Sequence, residues 1–420
     1  MTERLLQYIW QMQFFNKAGL VTTNNEPLQI IFPGNYNNNQ GPDFLETKIK
    51  IGNTILVGNA ELHIKSSDWK NHKHSPDRHY KNVIIHVVWD DDVPVKNLPT
   101  LVLQNRVSKL LFDKYRDLME NKDFIPCQNR IAGIDGLLWQ SWKERLLIER
   151  LQRKSEEIFI HLTKTNNHWE EVLWWMIAGN FGGKVNKECF EDIAKSISIN
   201  ILAKHKKNIQ QLEALLLGQA GILNDDFEEA YPKLLYREYE FCKSKYNLRE
   251  IKIPVSSLRM RPSSFPAVRL AQLAMLIHCS LHLFSKIKES NSLKETRKLL
   301  DVTANDYWHY HYVIGELSSY KPKHVGAQMV DNIFINTIIP VLFAYGQYHN
   351  EQLYKDRAVR WMEEIKAEEN LITKKWSEMD VANKTAFDSQ SLIELRNRYC
   401  LKRKCLDCVI GHTLLKKTTS

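Results

Sequence analysis

Residues 41–69 read GPDFLETKIKIGNTILVGNAELHIKSSDW. Two strand-like runs flank Gly52-Asn53, a strong hairpin-turn signal, so the stretch reads as a pair of antiparallel strands. In DFLETKIKI the alternation puts Leu45, Thr47, Ile49 and Ile51 on one face and Glu46, Lys48 and Lys50 on the other. In the second run Glu61, His63 and Lys65 share a face, while Leu62 and Ile64 point the opposite way. Asp43 opens the first strand and can therefore approach Glu61 across the sheet. Charged groups facing the middle of a sheet are costly unless something pairs with them, and a divalent cation is one such partner.

Working outward, Leu5, Leu6, Ile9, Trp10 and Met12 recur at helical spacing and predict an amphipathic helix over 3–16. LQIIF (28–32) is a short apolar strand, and NVIIHVVW (82–89) is apolar enough for a strand buried on both faces. TLVLQ (100–104) precedes a helix over 106–121. From about residue 136 the pattern turns helical, starting with a long helix over 137–162 and continuing through segments near 168–181, 205–217, 226–246, 266–287, 325–346, 350–367 and 385–399. The expected fold class is α+β. An N-terminal α/β core, a mixed sheet flanked by helices over 1–130, is followed by a larger all-helical domain over 131–395 and a basic cysteine-rich tail over 396–420.

The chain has 420 residues, 43% apolar and 25% charged, which is ordinary for a soluble globular protein of two or three domains. Its formal charge of +9 is uneven. Residues 1–100 carry ten Lys/Arg against ten Asp/Glu, whereas 391–420 carry seven against two. The basic tail reads either as a phosphate-binding surface or as a solvated helix. MTERLLQYIWQMQFF lacks the pattern of a secretory signal. The longest apolar run, IFINTIIPVLFAYG, is short for a bilayer span and contains Pro340, so no membrane partner is expected. Seven cysteines without a framework spacing fit a reducing, cytoplasmic setting.

Two carboxylates from neighbouring strands form the hard oxygen pair that Mg²⁺ or Mn²⁺ prefers, and a nitrogen base two residues after Glu61 is placed to orient or deprotonate a water. In the helix–strand order around it, PD at 42–43, seventeen residues, then ELH at 61–63 resembles the PD-(D/E)XK nuclease superfamily. That resemblance implies a restriction-endonuclease-like core of one helix, a three-stranded meander, a helix and a further strand. It also implies metal-dependent cleavage of phosphodiester bonds in DNA or another nucleic acid. Asp43 and Glu61 would be the metal-binding acids, and His63 stands where the superfamily usually has lysine. Lys65, one step further along the same face, is the alternative lysine. Glu3 or Gln7 could add the acid or amide that some members carry on the first helix. Over most of its length the chain also resembles the uncharacterised domain-of-unknown-function 2851 family, through GPDF, E-x-H, SDW, H-x-H and C-x4-C-x2-C. The plainer reading makes Asp43 a turn residue and Glu61 and His63 an exposed polar face paired with Lys48 or Lys50. A protein that retains the fold and binds nucleic acid without cutting it also fits.

His72 and His74, in SDWKNHKHSPDRHY, follow the strand closely enough to contact substrate phosphate or a second metal, or to be surface polar groups. His86, inside the most apolar strand, reads as a core histidine. Cys400, Cys405 and Cys408 make a C-x4-C-x2-C array in a basic setting, a partial zinc or iron–sulfur ligand set. The fourth ligand is either the local His412 or the distant Cys127. Some PD-(D/E)XK nucleases join one remote cysteine to a late trio around an iron–sulfur cluster, and Cys127 with this trio is similar in arrangement. Semi-buried packing thiols remain the alternative. In the helical domain, Arg259, Arg261 and Arg269 around PSSFP are candidate phosphate contacts or structural ion-pair partners.

Overall fold

The computed structural model describes residues 1–72, 78–249, 251, 253–280 and 282–416. The protein is α+β and divides into two compact units, Met1–Trp142 together with the segment from Leu395 onward, and Lys143–Glu394.

The first unit opens with α1 (Glu3–Met12), whose N-cap Thr2 accepts the Leu5 amide through its side chain. The strands follow as β1 (Leu28–Phe32), β2 (Asn35–Tyr36), β3 (Phe44–Ile51), β4 (Thr54–Lys65), β5 (Val83–Asp90) and β6 (Thr100–Val102). The sheet order is β1-β3-β4-β5-β6, with β2 an extra pairing on β3. β1, β3 and β4 are antiparallel neighbours, and β5 and β6 run parallel to β4. A parallel partner requires a crossover, and α2 (Asp68–Asn71) lies in the one between β4 and β5. The predicted turn is present, with Ile51 opposite Thr54 and Gly52 at φ 55°, a left-handed value glycine adopts without strain. α3 (Lys109–Glu120) follows the sheet. One apolar cluster joins Leu5, Leu6, Ile9 and Trp10 of α1, Phe44, Ile49, Ala60, Leu62, Ile85 and Val87 of the sheet, and Leu111 and Leu118 of α3.

The second unit is almost all helix around a core that includes Phe190, Trp308, Phe334 and Trp361. The apolar period over 266–287 is split into Pro266–Cys279 and Leu283–Glu289, with His282 in a left-handed conformation at the break. A two-stranded antiparallel hairpin pairs His311–Val313 with Glu316–Leu317. The apolar run around Pro340 is longer in structure than in sequence. Ala327–Tyr348 is one helical stretch of 22 residues, apolar enough to cross a membrane, and 67% of its apolar window is buried inside the unit. Its π-helical part, Phe334–Ile338, lies just ahead of Pro340, whose missing N–H cannot continue the α-helical ladder.

Candidate functional site

The position of Asp43 depends on an irregularity in β3. Phe44 pairs with Ala60 and Thr47 pairs with Gly58, so three steps on β3 match two on β4. This is a one-residue bulge, and Glu46 inside it has φ 61°. The bulge inverts the alternation. Phe44 joins Thr47, Ile49 and Ile51 on the buried apolar face, and Leu45 is exposed, contrary to the face assigned from the regular pattern. Asp43 is thereby turned to the opposite face, which is also the face of Glu61, because Ala60 and Leu62 belong to the core side. In an unbroken strand Asp43 would have shared the side of Thr47 and pointed into the apolar core. The turn before it is tied by the Asn37 amide to the Asp43 carbonyl at 2.8 Å and by Asn37 Nδ2 to the Pro42 carbonyl at 2.9 Å.

Asp43 and Glu61 hold each other through the backbone. The Asp43 amide donates to Glu61 Oε2 at 3.0 Å, and the Leu62 amide donates to Asp43 Oδ2 at 3.0 Å. Gln7 of α1 donates to Asp43 Oδ1 at 2.8 Å, reaches Glu3 Oε1 at 3.5 Å and accepts the Tyr36 hydroxyl at 3.3 Å. His63 is 1% exposed, with Nε2 3.6 Å from Glu61 Oε1 and Nδ1 2.8 Å from His86 Nε2. The exposed polar face paired with Lys48 or Lys50 is therefore not what forms, since Glu61 and His63 are both buried.

Burial pushes the carboxyl of Asp43 well above the ordinary carboxylate range, and the nearby Glu3 charge adds to it against opposing hydrogen bonds from Leu62 and Gln7. Glu61 is raised as well, first by burial and then by the charge of Asp43. Glu3 is also raised by burial, with His72 acting in the opposite direction. Asp43 and Glu61 thus lie together out of water, with Glu3 at the exposed edge adding charge that raises both. Among the described residues, no three His, Cys, Asp or Glu converge tightly enough to cage an ion in this state.

The residues after β4 fold over this polar face. Asp92 anchors the turn by accepting the Ser67 amide at 2.9 Å and the Ser67 hydroxyl at 2.8 Å. Trp69 of α2 then sits 5.3 Å from the His86 ring, and His72 sits 5.0 Å from the His63 ring. His74 lies outside the described residues. Lys65 is exposed at the strand end, where its amide donates to Asp68 Oδ2 at 3.2 Å and its charge bears on Asp92. Arg259 and Arg261 are exposed in the second unit, and Arg269 there donates to Gln272 Oε1 at 3.0 Å. The sequence reading left His86 in the core and out of the site. The signal it lacked was register, because parallel pairing of β4 with β5 sets His86 opposite Glu61 on the same face.

Residues 3–371 match a family described as protein of unknown function, DUF2851. The chain belongs to this family. No curated protein and no solved structure matches it. The matched span contains Glu3, Gln7, Asp43, Glu61, His63, His86 and Cys127, while the cysteine trio lies beyond it.

That trio forms a second cluster in the first unit. Cys127, Cys400, Cys405 and Cys408 line one small cavity of about 20 Å³ together with Leu118, Pro126, Tyr399, Lys404 and Gly411. All four are free thiols. Burial pushes Cys127 and Cys405 up to about 12 and raises Cys400 and Cys408 too; for Cys408 the amides of Ile410 and Gly411 oppose the rise. Of the two candidates for a fourth ligand, Cys127 lines the cavity. His412 instead has Nδ1 2.8 Å from the Tyr8 hydroxyl and stacks on Phe14. Cys189 and Cys242 are buried packing residues of the second unit, and Cys279 is exposed.

Proposed function

We propose that this protein is a divalent-metal-dependent phosphodiesterase of the PD-(D/E)XK nuclease type, acting on DNA or another nucleic acid. The observation that carries the reading is the delivery of Asp43 and Glu61, by a bulge and a neighbouring strand, to one polar face where backbone amides link the two carboxyls and the charge of Asp43 raises Glu61. The element order supports it: α1, the meander β1-β3-β4, α2, and β5 parallel to β4.

The donor set suits a hard cation. Asp43 and Glu61 would hold Mg²⁺ or Mn²⁺, with Glu3 as a further oxygen donor, and a buried acid pair of this kind needs either a proton or a cation to be stable. Once bound, such an ion supplies Lewis-acid activation of a phosphate oxygen or a water. The chain's own residues do the rest. Gln7 fixes the rotation of the Asp43 carboxyl, and His86 fixes the ring of His63. His63 Nε2 is left facing Glu61 Oε1, where it can take a proton from a water held by the acids. The exposed Arg259 and Arg261 and the overall charge of +9 suit contact with a phosphate backbone.

A second reading is favoured by His63 itself. It is buried, engaged through both ring nitrogens, and lacks lysine's fixed charge, as expected of a protein that binds nucleic acid without cutting it. Incubation of purified protein with single-stranded, duplex and branched DNA or RNA, with Mg²⁺ or Mn²⁺, separates the two. The nuclease reading expects nicking that falls about 100-fold or more in Asp43→Asn and Glu61→Gln. Salt-sensitive binding with no cleavage by wild type or either variant would reject it in favour of the second.

A further inference from the structure

We infer that Cys127, Cys400, Cys405 and Cys408 hold one thiophilic metal centre, zinc or an iron–sulfur cluster, and that this centre fixes α1 in place beside the Asp43–Glu61 pair.

The fold brings Cys127, remote in sequence, to the C-terminal trio Cys400, Cys405 and Cys408; the four border a single cavity, and none is in a disulfide. Close packing alone gives no reason to gather them. Hydrogen-bond donors and cationic side chains stand beside the sulfurs. The Cys408 sulfur accepts hydrogen bonds from the Ile410 and Gly411 amides at the start of the C-terminal helix Val409–Lys416, and the Trp142 indole faces it as well. A neutral thiol is a weak acceptor, whereas a metal-bound thiolate is deprotonated outright and takes such donors well. Arg396 bears on Cys400 and Arg403 on Cys405, which adds positive charge around a sulfur set that carries up to four negative charges when ligated. The chain path is specific: a methyl group at Gly411 would collide with the Cys405 carbonyl, so only glycine lets the helix pass this close to the cage.

The spacing of the sulfurs bears on which centre is held. Four sulfurs around one zinc stand about 3.8 Å apart, given a Zn–S bond of about 2.3 Å. In a multi-iron cluster the thiolates are shared among several irons. No three of the described ligand-type residues converge on one point, so zinc would have to draw the sulfurs inward, and a cluster would take them on a wider frame.

The link to α1 consists of two contacts that alternate with the acid-site residues along the helix. Arg4 pairs with Asp407, which lies between Cys405 and Cys408, and Tyr8 bonds His412, one turn beyond Cys408. Each is adjacent in sequence to a residue of the acid cluster, Glu3 beside Arg4 and Gln7 beside Tyr8. The pairs 3 and 7, and 4 and 8, are successive i, i+4 rows of one helix. One row is held by the cysteine segment, and the other supplies the Gln7–Asp43 bond. Loss of the centre would free the segment, and α1 would lose one of its two anchors.

The inference does not rest on the nuclease reading, because its readouts are metal content and amide exchange. Full-length protein, purified with and without oxygen, is assayed for zinc, iron and acid-labile sulfide. Its hydrogen exchange is then followed before and after metal removal, by a zinc chelator or by ferricyanide oxidation of a cluster. The expected result is zinc, or iron with matching sulfide, bound once per chain. Removal should speed exchange over residues 3–12 by about tenfold or more and leave 143–394 unchanged. Cys400→Ser should lose the metal. Should that variant fail to fold, metal removal from wild type carries the test. Asp407→Asn combined with His412→Phe should loosen α1, and any accompanying fall in metal affinity supports the coupling, because linkage is reciprocal. Absence of metal from both preparations overturns the site. Unchanged α1 exchange after metal removal, or in the double variant, overturns the coupling.

Discussion

Over Ala60–His63 both faces of β4 are buried, and they do opposite things. Ala60 and Leu62 are 0% exposed and pack into the apolar cluster, whereas Glu61 at 5% and His63 at 1% are sealed on the other side. The first face stabilises the fold by removing hydrocarbon from water. The second takes ionisable groups out of water and sets like charges beside one another, which works against the fold unless a proton or a cation is supplied. Burial alone therefore does not report what a residue is for. The chemistry of the group, and the partners it finds, decide whether its burial builds the protein or equips it.

Changes on the apolar face should have the largest effect on stability. Phe44→Ala removes a fully buried ring just beyond Asp43 and should lower unfolding stability by about 3–5 kcal/mol, read from denaturant melts. A loss below about 1 kcal/mol would mean that the bulge does not seat Phe44 in the core as described.

A change on the polar face should act in the opposite direction and depend on pH. Asp43 and Glu61 have raised folded-state values, so the folded chain binds protons more tightly than the unfolded one. In metal-free protein the pair's contribution to stability is fully present at acid pH and is lost as pH rises from the ordinary carboxylate range, about 4, through the raised values. Glu61→Gln removes one charge and keeps an oxygen for the Asp43 amide, so its Tm should fall less than that of wild type between pH 5 and pH 8. Parallel curves for the two proteins would remove the electrostatic account of the pair.

The smallest effect should come from the helix that borders the site. Gln7→Ala deletes the 2.8 Å bond to Asp43 and should cost about 1 kcal/mol, with a further rise in the Asp43 carboxyl because one stabilising donor is gone. If the pH dependence of stability is unchanged in that variant, Gln7 does not hold the carboxyl.

The hairpin and the strands were legible in the sequence because alternation and Gly52-Asn53 are local signals. The span of β4, Thr54–Lys65, follows directly from TILVGNAELHIK. The bulge was not legible, since DFLETKIKI alternates as a regular strand would, and only pairing with β4 reveals the extra residue at 45–46. The pairing of Asp43 with Glu61 was anticipated from the hairpin, but the face on which they meet depends on that bulge. The role of His86 depends on the register of a parallel neighbour reached through a crossover, which no short-range pattern encodes. The trio at 400–408 stood out by its spacing, whereas the choice between Cys127 and His412 depended on tertiary contacts, Cys127 at the cavity and His412 against Tyr8.

The central claim is that Asp43 and Glu61 are a cation site held on a buried polar face, and titration of metal-free protein with Mn²⁺ at pH 8 in a calorimeter tests it most directly. The account predicts one ion per chain at this pair, bound with release of protons that shows as a dependence of the heat on the buffer, and lost in Asp43→Asn with Glu61→Gln. Binding that survives in the double variant, or no binding to the wild type, would contradict it.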